Sequence, residues 1–385
     1  MKINRIRLLK SFDSLIGPLL IRTIPLLTRK KTPVHPGRDN SRILLIRPGG
    51  IGDAVLLIPA IKKIRKHLPD SHIDILAERR NWEIFRMCRD ISGIYLYDKP
   101  GQLLKTIRND YQIVIDTEQW HRLSAVIAYL TKAPIRIGFS TNERKELFSH
   151  PVAYSHDDYE VYSFFNLLYQ LFDLPGFGAD SEASGYGPEV PFLEVDWTGI
   201  EPWLTDLVSE NIKKHEKGFV VISPGATVRE RRWGGENYGE VARRLLSNNF
   251  GVIVIGTMAD RADAEIIREK AGDAIDLTGR TGLREVAYIL KKARLFIGPD
   301  SGVLHIAMGL GTPTVSLFGS GIARKWAPRG KNHIVINKNL PCSPCTRFGY
   351  TPECRRGIKC LTGIPHEEVV TSAFKLIECN TKARL

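Results

Sequence analysis

The chain has 385 residues, with 55 Lys and Arg against 42 Asp and Glu, a formal net charge of +13. At about 100–200 residues per domain this length predicts two domains, and 43% hydrophobic with 25% charged residues excludes a disordered, collagen-like or coiled-coil chain. No stretch approaches the ~20 apolar residues of a membrane-spanning helix. Six Cys are too few for a disulfide-dense secreted domain of this size, and the positive surplus points to an anionic partner: nucleic acid, phosphate or a membrane surface.

Residues 1–31 hold eight Lys or Arg and one Asp, a surplus of seven positive charges. The segment is basic, then apolar from Leu15 to Leu27, but Arg22 and Pro25 interrupt the run. No small-residue cleavage site follows, so it does not read as a signal peptide. It reads either as a basic amphipathic extension (1–40) lying on an anionic membrane face or as a solvated, partly ordered tail.

From Arg42 short β-rich runs alternate with helix-like segments. Strands are expected at 42–47, 73–77 and 113–117, and helices at 53–66 and 123–130. Between Leu174 and Gly199 lie three Pro, five Gly and five acidic residues, which reads as a linker or edge loop. The alternation then restarts, with strands at 219–223, 252–256, 295–298 and 314–317 and helices at 236–248, 259–271, 282–292 and 302–309. The expected fold class is α/β, two doubly wound parallel sheets. We take 41–190 as the first domain, 191–214 as linker, 215–365 as the second domain and 366–385 as a C-terminal helix and tail. Ligands of such sheets bind beyond the carboxyl ends of the strands, and the cleft between two such domains is the expected site.

Three motifs carry chemistry. The first is Arg47-Pro-Gly-Gly-Ile-Gly-Asp53, between a strand and a helix. Gly50 and Gly52 permit a tight turn at a helix N-terminus. The dinucleotide fingerprint fails, because Val55 stands where Gly or Ala is needed, and no Gly-Lys-Ser/Thr follows for a Walker loop. Asp53 reads as a helix cap or as a general base held ionised by the helix dipole. The second motif, Ser223-Pro-Gly-Ala-Thr-Val-Arg-Glu-Arg-Arg-Trp233, offers Thr227 and Arg229, Arg231 and Arg232 to a diphosphate, or is a solvated basic loop. The third runs Ile297-Gly-Pro-Asp-Ser-Gly-Val-Leu-His305, followed by Gly311 to Ser320. Asp300 or Ser301 would cap a helix opening at Gly302, leaving amides for phosphate. His305, one turn in, either reaches the nucleotide or packs. Asp300-Ser-Gly302 does not form the nucleophile elbow of a hydrolase.

In this order the three motifs resemble glycosyltransferase family 9, the ADP-heptose:lipopolysaccharide heptosyltransferases. The resemblance rests on Gly-Gly-Ile-Gly-Asp53 with Pro59, Pro-Gly-Ala-Thr227 with Arg231-Arg-Trp233, Asp300-Ser-Gly-x-x-His305, Leu317-Phe-Gly319 and Trp326-x-Pro328, and covers roughly 42–375. It implies the GT-B architecture of two Rossmann-like domains facing across a cleft, the acceptor held mainly by the first and the sugar nucleotide by the second. It implies inverting transfer with Asp53 as base, Gly50 and Gly52 in an acceptor-side loop, and Thr227, Arg231, Asp300, Ser301, Gly302 and His305 around the donor. Arg231 stands where many members place Lys, and Ser320-Gly321 where Pro-Thr is frequent, which bears on the donor sugar rather than on the reaction class. No metal is obligatory, magnesium being at most a stimulant. The implied partners are an ADP-sugar, a lipopolysaccharide core or lipid-linked acceptor and an anionic membrane surface, with a cytoplasmic, peripheral location on the inner face. Another nucleotide sugar as donor, or a nucleotide-sugar epimerase of the same fold, is the alternative. Nucleic acid is not expected, since no recognisable binding module is present.

Cys342, Cys345, Cys354 and Cys360 lie within 19 positions of one another. The Cys-x2-Cys start suits zinc, but the irregular second spacing suits a reduced cluster without metal equally.

Overall fold

The computed structural model describes residues 13, 15–24, 40–174, 190–347 and 349–382. The chain divides into two compact units, Met1–Pro188 and Glu189–Leu385.

The first unit begins with helix α1 (15–24). Its strands are β1 (Arg42–Arg47), β2 (His72–Ala77), β3 (Gly93–Leu96), β4 (Ile113–Asp116), β5 (Ile135–Phe139) and β6 (His150–Val152). They form one parallel sheet in the order β3-β2-β1-β4-β5-β6. Helices α2 (Ile51–His67), α3 (Trp82–Phe85), α4 (Pro100–Arg108), α5 (Arg122–Leu130) and α6 (Glu160–Phe172) make the connections and close the unit. A parallel sheet is covered on both faces, so its central strands are apolar throughout. Leu44, Leu45 and Ile46 in β1 and Ile113, Val114 and Ile115 in β4 are accordingly buried.

The second unit opens with α7 (Pro202–Lys214). Its strands are β7 (Phe219–Ile222), β8 (Gly251–Val254), β9 (Ile275–Asp276), β10 (Leu295–Pro299), β11 (Thr314–Phe318) and β12 (His333–Asn337). They are parallel in the order β12-β11-β10-β7-β8-β9. Helices α8 (Gly235–Leu246), α9 (Arg261–Ala271), α10 (Leu283–Lys292) and α11 (Gly302–Gly309) alternate with the strands, followed by short α12 (Ala323–Trp326) and α13 (Lys359–Thr362) and the long α14 (His366–Lys382). Val369, Ala373 and Leu376 of α14 join the core formed by β7, α8 and β10.

Each sheet reverses its strand order once, between β1 and β4 in the first unit and between β7 and β10 in the second. At such a switch point the connections leave toward opposite faces, and the loops beyond the strand ends leave a crevice for a ligand. Two Rossmann-like α/β units, as expected, are the result.

One expected boundary differs from the structure. Residues 175–189, at the end of the expected first domain, lie outside the described residues, and the expected linker, 191–214, belongs to the second unit. There Phe192 and Leu193 donate their N–H groups to the Gly309 carbonyl at 2.9 and 3.0 Å, and Leu204 and Val208 of α7 are buried. The expected C-terminal helix is α14, His366–Lys382, and it packs into the core of the second unit. The linker expectation rested on Pro, Gly and acidic residues, which also suit a loop pinned across a helix end. Most of the basic extension, residues 1–12, 14 and 25–39, lies outside the described residues.

Candidate functional site

In the first unit, the loops after β1 and β4 meet at the switch point. β1 ends at Arg47, and Gly49 then turns the chain with φ of 128°, a conformation that costs an L side chain energy. Gly50 is the N-cap of α2, and no side chain caps this helix. Asp53 sits in the first turn of α2 and pairs with Arg47, Nη2 to Oδ2 at 3.2 Å. The cap role considered for Asp53 therefore belongs to Gly50. The helix N-terminus still favours the Asp53 carboxylate.

The Arg47 side chain is only 2% exposed and donates from Nη1 to the Thr117 carbonyl at 2.6 Å. Burial alone would lower its pKa, but Asp53, Glu118 and Glu160 outweigh burial and raise it. Glu118 is buried and accepts backbone N–H bonds from Gln119 and Trp120 at 3.0 and 3.1 Å. Burial pushes its pKa up, yet Arg47, His121 and Arg144 more than reverse that, so it lies below the ordinary carboxylate range. Tyr154 donates its hydroxyl to Glu160 at 3.2 Å, and burial beside that carboxylate raises its pKa far enough to keep it a donor. Behind them Arg144 pairs with Asp116 at 2.8 Å, both fully buried. One buried cation thus faces three carboxylates, and Asp53 alone of the three keeps 28% of its side chain exposed. It can meet an incoming hydroxyl; Glu118 and Glu160 cannot.

In the second unit, the loops after β7 and β10 meet at the other switch point. The β7 loop turns at Gly225, where a Cβ would collide with the Asp260 carboxylate. Asp260 also accepts from Thr257 N–H at 2.8 Å and from Arg232 Nη2 at 2.6 Å. Arg232 further contacts Asp263 at 3.3 Å and donates to the Ala226 carbonyl at 3.2 Å. Arg232, expected to face a diphosphate, is instead consumed in shaping this loop. Thr227 and Arg229 are exposed. Arg231 pairs with Asp300, Nη1 to Oδ2 at 3.1 Å, joining the two loops.

Asp300 is buried, with Gly321 against it; a Cβ at Gly321 would overlap Asp300 Oδ2. Ser301 is the N-cap of α11, but its side chain does not cap the helix. Its Oγ is buried without a hydrogen-bond partner among the described residues, as is that of Ser320 at the end of the β11 loop. Gly302 opens α11, and His305 is buried one turn in. Two unsatisfied hydroxyls, free first-turn amides and an arginine form an anion-binding arrangement. The structure therefore brings Arg231 against Asp300, beside Ser301 and Gly302, with His305 buried one turn further along α11, while Thr227 is exposed on the β7 loop.

The cysteine segment packs beside this site. Cys345 donates its N–H to the Ser320 carbonyl at 3.1 Å, and Cys354 donates its N–H to Glu230 Oε1 at 3.3 Å. The sulfur of Cys360 lies against Gly319. All four thiols are free, and burial, then neighbouring thiols, pushes up Cys345 and Cys360. Among the described residues no group of three or more His, Cys, Asp or Glu is placed to hold a metal ion. What the segment does in this structure is brace the 230 and 319–320 turns.

Sequence reasoning missed Arg47, Glu118, Glu160 and Asp260. Arg47 sat in the quoted motif, and an arginine ending an otherwise apolar strand was the available signal. The two glutamates lie 71 and 113 positions downstream of Arg47, and only the sheet order brings them near it.

The glycosyltransferase family 9 (heptosyltransferase) profile matches residues 101–354, which include the whole β7–β10 site. Lipopolysaccharide heptosyltransferase 3 of Escherichia coli (strain K12) is 28% identical over 348 residues, covering 85% of this chain and 95% of its own. Lipopolysaccharide heptosyltransferase 1 of Pseudomonas aeruginosa is 23% identical, covering 80% and 86%. Among solved structures, a family 9 glycosyltransferase from Veillonella parvula superposes with a TM-score of 0.70 at 20% identity, covering 89% of this chain and 98% of its own. The E. coli ADP-heptose lps heptosyltransferase II gives 0.68 at 17%, covering 88% and 99%. These last two likenesses establish a shared GT-B fold. With the family profile spanning well over half of the sequence, the chain belongs to glycosyltransferase family 9, the heptosyltransferases, and is a glycosyl-transferring enzyme.

Proposed function

We propose that the enzyme is an inverting transferase that moves a heptose, or a related sugar, from ADP-heptose to a sugar hydroxyl of the lipopolysaccharide core. Relatives named as lipopolysaccharide heptosyltransferases support the donor and acceptor classes. The observation that carries the mechanism is the isolation of Asp53: of the carboxylates around Arg47, it is the one open to solvent.

In the proposed reaction the acceptor oxygen attacks the anomeric carbon from the face opposite the diphosphate. The new C–O bond forms as the bond to the diphosphate oxygen breaks, and the configuration inverts. Asp53 takes the hydroxyl proton. ADP leaves, and its growing charge falls to Arg231, Thr227, the Ser301 hydroxyl and the N-terminus of α11, with His305 beside them. Those donors serve the diphosphate, so the proposal assigns no obligatory metal, and magnesium at most a stimulating role. A diphosphate leaves without a proton, so a second carboxyl acid of the glycosidase kind has no task. Gly50 and Gly52 keep the acceptor side of Asp53 free of side chains.

The acceptor would be lipid-linked, and the enzyme peripheral on the cytoplasmic face of the inner membrane. The positive surplus in residues 1–31 supports an anionic surface as the third partner. A mass-resolved transfer assay tests the reading. ADP-heptose and several UDP- and GDP-sugars are each offered with heptose-deficient lipopolysaccharide. Addition of one heptose from ADP-heptose is expected. Transfer only from a UDP- or GDP-sugar, or conversion of the sugar nucleotide without acceptor, would overturn it.

A further inference from the structure

Helix α1 is fixed to the first unit from its inner side. The Asp13 carboxylate, 3% exposed, accepts the N–H groups of Arg122 and Leu123, each at 2.7 Å. It thereby caps the N-terminus of α5 from more than a hundred residues upstream, a role that helix ends reward. Gly17 lies on the Arg122 side chain, so close that a Cβ would sit 2.8 Å from Cδ. Ile21 is 1% exposed in a cluster with Tyr111, Val114, Ala125 and Val126, and Leu20 and Ile24 pack against the same cluster. Positions 13, 17, 20, 21 and 24 share one helical face.

The opposite face carries Leu15, Leu19 and Arg22, spaced i, i+4, i+7. Leu15 is 78% and Leu19 61% exposed, and Arg22 is exposed. A docked helix that is apolar on its outer side as well needs a further partner. Charge indicates which. Asp13 is the sole carboxylate among residues 1–31, and it is turned inward onto α5, while eight Lys and Arg belong to the same segment. Glu143, near enough to feel the charge of Arg22, is already paired with Arg122 at 2.8 Å. No described helix is long and apolar enough to cross a membrane. Exposed leucines beside an exposed arginine, in a segment whose sequence holds eight Lys and Arg and one carboxylate, suit the interface of an anionic bilayer, entered from one side.

We propose that α1 is a membrane-docking plate rigidly joined to the first unit, with Leu15 and Leu19 entering the lipid interface and Arg22 meeting lipid phosphate. It goes beyond a basic tether by fixing which face of the unit lies on the membrane. This proposal rests on the reading that the acceptor is membrane-borne.

Flotation of the full-length enzyme with vesicles of phosphatidylethanolamine and phosphatidylglycerol tests it, with pure phosphatidylcholine vesicles alongside. The wild type should float with the anionic vesicles and remain behind with the neutral ones. Leu15→Ser with Leu19→Ser should weaken partitioning at least tenfold while the melting temperature and transfer to detergent-dispersed acceptor stay unchanged. An environment-sensitive fluorophore on Leu15→Cys should shift to shorter wavelength only with anionic vesicles. Unchanged flotation of the Leu15→Ser, Leu19→Ser variant would overturn the proposal and leave binding to the flanking charges. A change of oligomeric state in that variant, seen by light scattering, would overturn it by assigning the stripe to a second copy. Loss of transfer in detergent by the wild type would count against the enzyme reading instead, since flotation does not depend on it.

Discussion

The Arg47 guanidinium is buried beneath the first glycine turn and holds Asp53 at 3.2 Å, so the partly exposed carboxylate proposed as the base rests on a cation that solvent cannot reach. That cation also neutralises Glu118 and Glu160. Replacing it should do two separable things. Arg47→Met takes a buried counter-charge from Glu118 and Glu160, a kind of change that costs about 3–5 kcal/mol in other proteins; a lower denaturant midpoint would register it. Arg47→Lys keeps the charge but not the fork that reaches Thr117 and Asp53 together. Its kcat should fall about tenfold or more while the donor KM holds, because Arg47 positions Asp53 and lies in the other unit from the residues proposed to bind the donor.

Arg231 and Arg232 are sequence neighbours with different work. On the proposed reading, Arg231→Ala removes a phosphate donor and leaves the Asp300 charge uncompensated where the diphosphate would bind. The dissociation constant for ADP should rise about tenfold to a hundredfold, as expected for a lost charged hydrogen bond. Asp300→Ala in the same chain should restore part of it. Arg232→Ala breaks contacts to Asp260, Asp263 and Ala226. It should cost about 1–3 kcal/mol of stability and move ADP affinity less than Arg231→Ala does. Calorimetric titration beside thermal melts separates the two effects.

His333 supplies a pH dependence that stands apart from the sites. It lies at the start of β12, its Nδ1 3.0 Å from Thr314 Oγ1, and burial lowers its pKa to about 4. An unfolded histidine titrates near 6.5. Above about pH 6.5 both states are neutral, and the full stability is present. As pH falls toward 4 the unfolded chain takes up a proton that the fold refuses, so stability is lost across that window. His333→Gln should flatten the fall in melting temperature between pH 6.5 and 4.5 relative to wild type. An equally steep fall in the variant would assign the effect elsewhere.

The two sheets were legible because apolar β-rich runs and helical spacing alternate on both sides of a Gly- and Pro-rich stretch. The central strands β1, β4, β7, β10 and β11 were visible for the same reason, being buried on both faces. Edge strands β3, β6, β9 and β12 were not, because they are only partly buried, and β6 and β9 are three and two residues long. The sites were half legible. Asp53, Arg231, Asp300 and Ser301 lie in local motifs at strand ends. The ion network behind Asp53 comes from residues spread over 47–160, and only the strand order assembles it. Arg232 was misread for a related reason: its partners Asp260 and Asp263 are about thirty residues away and reach it by tertiary packing alone. In the segment before the first strand, Asp13 looked like one acidic residue in a basic run, and its task as the cap of α5 was invisible in one dimension.

The central claim is that Asp53 removes the acceptor proton. Asp53→Asn keeps shape and size but cannot accept that proton, and it is compared with wild type by mass-resolved transfer of heptose alongside calorimetric titration of ADP. Transfer should drop by about a hundredfold or more, within the range that general base catalysis supplies, while ADP binds within about twofold of wild type because the proposed donor-binding residues belong to the other unit. Transfer at the wild-type rate by Asp53→Asn would contradict the account.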